Sequence, residues 1–315
     1  AAFTNSTAVG QSAATTRADQ IVLGKATTTT TVANLTGTGT GLVLANDDGT
    51  LSRSSISSTA LSSLNCTATG DNATCYGPNA SATGGNASAF GNSANASGLS
   101  ATALGVNSNA SGTSATALGR SANAAGFRSS ALGDNSIASG FDSTALGVGS
   151  IASCSDSTAL GVQATASGYA ATALGSNANA NGFAASALGD RANASGSGST
   201  ALGVGTNASG LEATALGASA NASGNRATAL GALATASGNY SSALGDSATA
   251  SGVFATALGA SATASGNSAT ALGVQATASG NYSSALGVGS IASGIEAIAL
   301  GANATASAVG ATALG

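Results

Sequence analysis

The chain has 315 residues, 46 of them glycine, with one proline, no histidine, methionine or tryptophan, and only 6% charged residues at a net charge of −4. Low charge with positive mean hydropathy excludes the charge-rich, solvated class of disordered chain. The acidic balance argues against nucleic acid as a partner, and no apolar run reaches the length of a membrane-spanning helix. A chain that starts Ala1-Ala2-Phe3-Thr4, with neither Met nor a basic leader, and stops in mid-repeat at Leu314-Gly315 reads as a piece of a longer protein. Any signal or membrane anchor then lies outside it.

Residues 1–24 carry a register of fourteen. Asn5-Ser6-Thr7-Ala8-Val9-Gly10 supplies a short strand and a turn, and Ile21-Val22-Leu23-Gly24 sets Leu23 fourteen after Val9. They read as the final coils of a preceding solenoid segment. Residues 25–65 lose the period and form a Thr/Ser-rich connector with short strands. Leu42-Val43-Leu44-Ala45 runs into an Asn46-Asp47-Asp48-Gly49 turn, and Thr50-Leu51 leaves it. Ile56, Ala60 and Leu64 stand at helical spacing and predict one short helix.

From residue 66 to 315 the period is strict. Leu104, Leu118, Leu132, Leu146, Leu160, Leu174, Leu188, Leu202, Leu216, Leu230, Leu244, Leu258, Leu272, Leu286, Leu300 and Leu314 step by fourteen without an insertion, and Tyr76 and Phe90 extend the column upstream. A fixed period of this size predicts a solenoid of about eighteen coils, in which no repeat buries its apolar face alone. Within each coil Ala-Thr-Ala-Leu-Gly-x-x is followed by Ala-Thr-Ala-Ser-Gly-x-x, which reads as two short strands and two corners. Two glycine columns, one from Gly77 to Gly315 and one from Gly70 to Gly294 broken only at Cys154, are expected to supply the positive φ of those corners.

Side chains alternate along a strand, so Ala269 and Ala271 share one face and Thr270 and Leu272 the other. Enclosing hydroxyls would require partners for them, so the expected interior is an all-alanine pair of faces. Leucine then lies outside, in a stripe along a rod roughly 85 Å long at about 4.8 Å per coil. An apolar stripe of that length exceeds what a monomer exposes, and each fully buried leucine contributes roughly 1.5–3 kcal/mol. The expectation is a parallel homo-oligomer with these leucines facing its axis. Charges and most later aromatics, namely Phe127, Phe141, Tyr169, Phe183, Tyr240, Phe254 and Tyr282, occupy corners. Phe127 and Phe141 stand one coil apart, as do Tyr240 and Phe254. These aromatics are either an adhesive surface or packing across a subunit boundary.

Asn5-Ser6-Thr7-Ala8-Val9-Gly10 and the Ala-x-Ala-Leu-Gly / Ala-x-Ala-Ser-Gly pattern resemble the YadA-like head domains of trimeric autotransporter adhesins, over about 270 of the 315 residues. The resemblance implies an all-β, left-handed parallel β-roll assembled as a homotrimer. It further implies display from a bacterial outer membrane, anchored through a C-terminal domain that this sequence lacks, and attachment to host matrix, host cells, prey or abiotic surfaces. Ala18-Asp19-Gln20-Ile21-Val22-Leu23-Gly24 and the Thr-rich stretch after it look like the junctions that close head segments in that family. Leucine where the family often carries isoleucine is a departure. A trimeric phage tail-fibre segment and an ice-binding solenoid are the alternative readings.

Nothing in the sequence spells catalysis. Without histidine a nucleophile needs another base, and the carboxylates are scattered singly, so no enzyme, metal or cofactor is expected. Strings such as Gly196-Ser197-Gly198 are solenoid corners, with no helix after them to cradle phosphate. Cys66 and Cys75 stand in columns otherwise filled by inward alanine, on opposite strands. They are either a disulfide closing the N-terminal end of the roll or two buried thiols. Cys154 replaces a corner glycine and has no partner in its own chain.

Overall fold

The computed structural model describes residues 4–9, 14, 21–23, 43–45, 51–53 and 65–315. The chain forms two compact units, Ala1–Ser63 and Leu64–Gly315. In the first, strands Thr7–Val9 and Ile21–Leu23 pair in parallel with Thr7 opposite Ile21, a register of fourteen. Asn5, two residues before the first of these strands, has a φ of 55°. Strands Val43–Ala45 and Leu51–Arg53 pair antiparallel. The turn expected over 46–49 and the helix expected from Ile56 to Leu64 lie outside the described residues.

The second unit is a parallel β-solenoid without a helix among the described residues. Two-residue strands, starting with Thr67–Ala68, alternate with three-residue strands, starting with Thr74–Tyr76, and each kind forms its own sheet of eighteen strands. Every strand pairs in parallel with the equivalent strand of the next coil. Thr102, Ala103 and Leu104 stand opposite Thr116, Ala117 and Leu118, and the same register carries through to Leu300 opposite Leu314. The leucine column continues upstream through Phe90 and Tyr76, as its spacing requires. Parallel pairing needs a return path between consecutive strands of one sheet, and the other sheet supplies it in each coil.

Among the described residues all fifty-five buried apolar side chains are alanines, so methyl groups make up most of the layer where the two sheets meet. Alanine fits because it adds no side-chain entropy cost on burial and lets short strands approach closely. The interior nevertheless departs from the all-alanine expectation. Ten serines and Thr206 are buried in the same columns. Their hydroxyls find partners in the preceding corner: Ser129 Oγ donates to Gly126 O (2.8 Å), Ser199 Oγ to Gly196 O (2.7 Å) and Thr206 Oγ1 to Gly203 O (3.0 Å). A hydroxyl three residues after a corner carbonyl thus costs little to enclose. Ser241 differs, since its Oγ has no hydrogen-bond partner.

The corners correct part of a second expectation: the glycines that follow the leucine column have positive φ, 119–140° from Gly77 to Gly301, whereas those of the column that starts at Gly70 do not. Positive φ in the α-left range recurs every seven residues from Asn72 to Gly310, in a column two residues after each corner glycine. Asparagine, serine, aspartate and arginine fill most of it, and bulky Tyr240, Phe254 and Tyr282 also adopt it. The turns close by hydrogen bonds such as Ala73 N to Gly70 O and Ala80 N to Gly77 O, both 3.1 Å. A positive φ at the third residue is what a type II turn requires. Both glycine columns meet a further constraint, the approach of successive coils. A Cβ on Gly98 would meet Gly112 O at 2.0 Å, and one on Gly105, whose φ is also positive at 140°, would meet Gly119 O at 2.3 Å.

Candidate functional site

Two features of the second unit turn outward, and the coil geometry dictates both. The first is the leucine column. Each leucine ends a three-residue strand on the face opposite the buried alanine, and its interior members are roughly 40% exposed, from 36% at Leu216 to 48% at Leu300. Leu132, Leu188, Leu244 and Leu286 are somewhat less exposed, and all four lie in strands that begin with serine instead of threonine. Threonine or serine flanks the column along most of its length. The two-residue strands present a different outer face, with asparagine amides bonded in ladders. Asn95 Nδ2 donates to Asn109 Oδ1 and Asn109 Nδ2 to Asn123 Oδ1, each at 2.8 Å. A second run links Asn193, Asn207 and Asn221 at the same distance. Ile137, Ile151 and Thr165 interrupt the column between Asn123 and Asn179, whose amide donates to Asn193 at 3.4 Å.

The second feature is the corner that precedes each three-residue strand, at the far end of that strand from its leucine. All seven corner aromatics lie there, half-exposed, in two adjacent positions: Phe127, Phe141, Tyr169 and Phe183 directly after the glycine, and Tyr240, Phe254 and Tyr282 one residue later. Neighbouring coils bring them into parallel stacks. Phe127 and Phe141 have ring centroids 4.9 Å apart at 11°, Tyr169 and Phe183 5.3 Å at 9°, and Tyr240 and Phe254 5.0 Å at 14°. The centroid spacing is close to the strand repeat of about 4.8 Å, so the rings climb the solenoid as its strands do. Tyr282 stands two coils beyond Phe254, outside these stacks.

Charged side chains interleave with the rings. The Arg128 guanidinium lies 5.2 Å from the Phe127 centroid and 5.4 Å from that of Phe141, and forks onto both carboxylate oxygens of Asp142. Arg226 lies 5.8 Å from the Tyr240 ring and donates to Glu212 at 2.8 Å. Hydrogen bonding to Asp142, and then its charge, holds Arg128 above its ordinary pKa, and Glu212 does the same for Arg226. At the opposite corner Arg120 bonds to Asp134 at 2.5 Å, which raises its pKa in the same way. These three pairs are fourteen residues apart, so the solenoid period that aligns leucines also pairs charges that stand singly in the sequence. That signal was present in the spacing of Arg120 and Asp134, Arg128 and Asp142, and Glu212 and Arg226. Tyr169 and Phe183 were readable as a stack in the same way.

Cys66 and Cys75 are joined as a disulfide, with Cα atoms 5.9 Å apart, at the first coil of the second unit. Cys154 is a free thiol of intermediate exposure. Among the described residues no three His, Cys, Asp or Glu side chains gather as metal ligands do.

A parallel β-solenoid with fourteen-residue coils, an alanine interior, an outward leucine column and an aromatic corner defines a repetitive, surface-presenting structural protein. A family model described as YadA head domain repeat (2 copies) matches residues 68–94, 82–108, 96–122, 110–136, 124–141, 138–153, 155–178, 180–206, 208–234, 236–262, 264–290 and 292–315. The chain belongs to the YadA head family, a structural class of surface-exposed adhesin heads. No curated protein matches it.

Proposed function

We propose that this chain is the head of a trimeric, outer-membrane-anchored adhesin that attaches a bacterium to host matrix, host cells or other surfaces without catalysis. The observation that carries the proposal is the leucine column, unbroken through sixteen coils and roughly 40% exposed in a single chain. A stripe this long is far larger than the apolar patches a soluble monomer leaves in water. Three parallel copies with Leu104 to Leu314 facing a common axis cover it, and identical coils keep equivalent leucines level along that axis. Residues 1–24 form the last coils of an earlier head segment, residues 25–65 connect it, and residues 66–315 are the main head. The aromatic corner lies away from the leucines and is the adhesive surface.

The experiment is attachment of the purified chain, displayed on beads, to matrix-coated, cell-coated and uncoated plastic. A chain with Phe127, Phe141, Tyr169, Phe183, Tyr240, Phe254 and Tyr282 changed to serine is the comparison. Loss of attachment with an unchanged far-ultraviolet spectrum supports the proposal. Equal attachment of both chains removes the aromatic corner from the adhesive role.

A further inference from the structure

The aromatic ladder has a missing rung. Phe127, Phe141, Tyr169 and Phe183 occupy one column, at successive steps of fourteen except between Phe141 and Tyr169, where Ser155 stands in the coil between them. Phe141 is stacked on its far side by Phe127, and Tyr169 on its far side by Phe183. The near faces of Phe141 and Tyr169 are therefore about 9.6 Å apart, two strand repeats. That spacing admits one flat group at ordinary stacking distance from both rings. Ser155 is too short to fill the space, and both walls are half-exposed.

The charge on this rung is also incomplete. Asp156 follows Ser155, has a φ of 59°, and is exposed. It takes part in none of the ion pairs among the described residues. Arg128 is forked onto Asp142, and the charge of Asp156 is the smallest of the influences that raise its pKa. Elsewhere at this corner the chain twice combines an aromatic ring, a carboxylate and a guanidinium: Phe127 and Phe141 with Asp142 and Arg128, and Tyr240 with Glu212 and Arg226. At the vacant rung the rings and the carboxylate are present and the guanidinium is absent. The gap between Phe254 and Tyr282 is different. Its rung carries Asn267 and Ser268, without a carboxylate, and Asn267 is engaged with the backbone of Val253 and the side chain of Asn281.

We propose that Phe141, Ser155, Asp156 and Tyr169 form a binding slot for an arginine side chain presented by a protein partner. The guanidinium inserts between the two rings and its N–H groups donate to the Asp156 carboxylate. A planar, weakly hydrated cation suits both contacts, whereas a lysine ammonium is compact and does not continue a stack. This deepens the adhesive reading by assigning a ligand chemistry to one corner. It depends only on residues of a single chain.

The test uses the full 315-residue chain labelled with 3-fluorotyrosine. Its four tyrosines give four fluorine resonances, and Tyr169→Phe assigns the one that matters. The probes are Gly-Ser-Arg-Ser-Gly and Gly-Ser-Lys-Ser-Gly peptides, blocked at both ends. The slot predicts a saturable shift of the Tyr169 resonance with the arginine peptide, at least about fivefold weaker with the lysine peptide and in Asp156→Asn. The Tyr240 resonance, whose ring already neighbours Arg226, stays in place. Ser155→Phe completes the ladder and abolishes the response. That variant is expected to fold, because phenylalanine occupies the same column at 127, 141 and 183. No shift at Tyr169, equal responses to arginine and lysine, movement of all four resonances together, or an unchanged response in Ser155→Phe each overturns the slot. None of these outcomes bears on trimerisation or attachment, which are measured separately.

Discussion

Gly140 and Cys154 lie in successive coils so closely that a Cβ on Gly140 would sit 1.9 Å from the Cys154 carbonyl oxygen. The contact involves backbone on both sides, so no side-chain rotation relieves it. The same approach recurs along the column, with Gly126 against Gly140 at 1.8 Å and Gly168 against Gly182 at 1.9 Å. Gly168→Ala is therefore expected to lower stability by about 3 kcal/mol or more, through forced separation of two coils. Hydrogen exchange should localise the loss to coils on either side of residue 168, because each coil contacts only its neighbours.

Cys154 is the one position in that glycine column, from Gly70 to Gly294, that carries a Cβ. Cys154→Gly restores the repeat and should raise stability by about 1–2 kcal/mol, read as an increased melting temperature of the main unit. An unchanged or lowered Tm would mean that the coil has already adapted to the side chain at no cost.

Buried hydroxyls make a paired prediction. Ser129 Oγ donates to Gly126 O at 2.8 Å, whereas the equally buried Ser241 Oγ has no partner. Ser129→Ala should destabilise by about 1 kcal/mol, and Ser241→Ala should be neutral or stabilising by about the same amount. Denaturant midpoints of the two variants, measured side by side, decide it. A loss at both sites of equal size would contradict the difference in bonding.

The Cys66–Cys75 disulfide has a sequence separation of nine and lies in the first described coil of the second unit, where both cysteines are partly buried against the alanine layer. Alkylation and mass spectrometry should find one reactive thiol per unfolded chain before reduction and three after. Reduction should remove roughly 2–3 kcal/mol of local stabilisation. The expected signature is faster amide exchange over residues 65–90, with the coils beyond residue 200 unchanged.

Much of the solenoid was legible because translation by one coil maps each residue onto its equivalent. Leu104 predicts the position of Leu118, and the alternation of Ala103 with Thr102 and Leu104 predicts which side is buried. The resemblance to YadA heads rested on the same columns, and the family match covers residues 68–315. The corners were less legible. Their α-left residue varies among Asn72, Ser100, Arg128 and Tyr240, so no residue type marks it, and glycine drew attention to the neighbouring column. Gly98 looks like a turn glycine, yet its requirement comes from the carbonyl of Gly112, a contact visible only once coils are stacked. Serine in the interior was hidden for a related reason, since the acceptor for Ser199 is a carbonyl whose direction depends on the turn. The aromatic stacks and the Arg–Asp pairs needed only the step of fourteen, applied to residues that looked unconstrained.

The central claim is that the outward leucines are buried among three parallel chains. Sedimentation equilibrium of the purified chain tests it most directly. The account predicts a single species with three times the chain's 28.7 kDa, converted to smaller, less stable species by Leu188→Asp and Leu202→Asp together. A stable monomer at micromolar concentration, with the leucine column open to water, would contradict it.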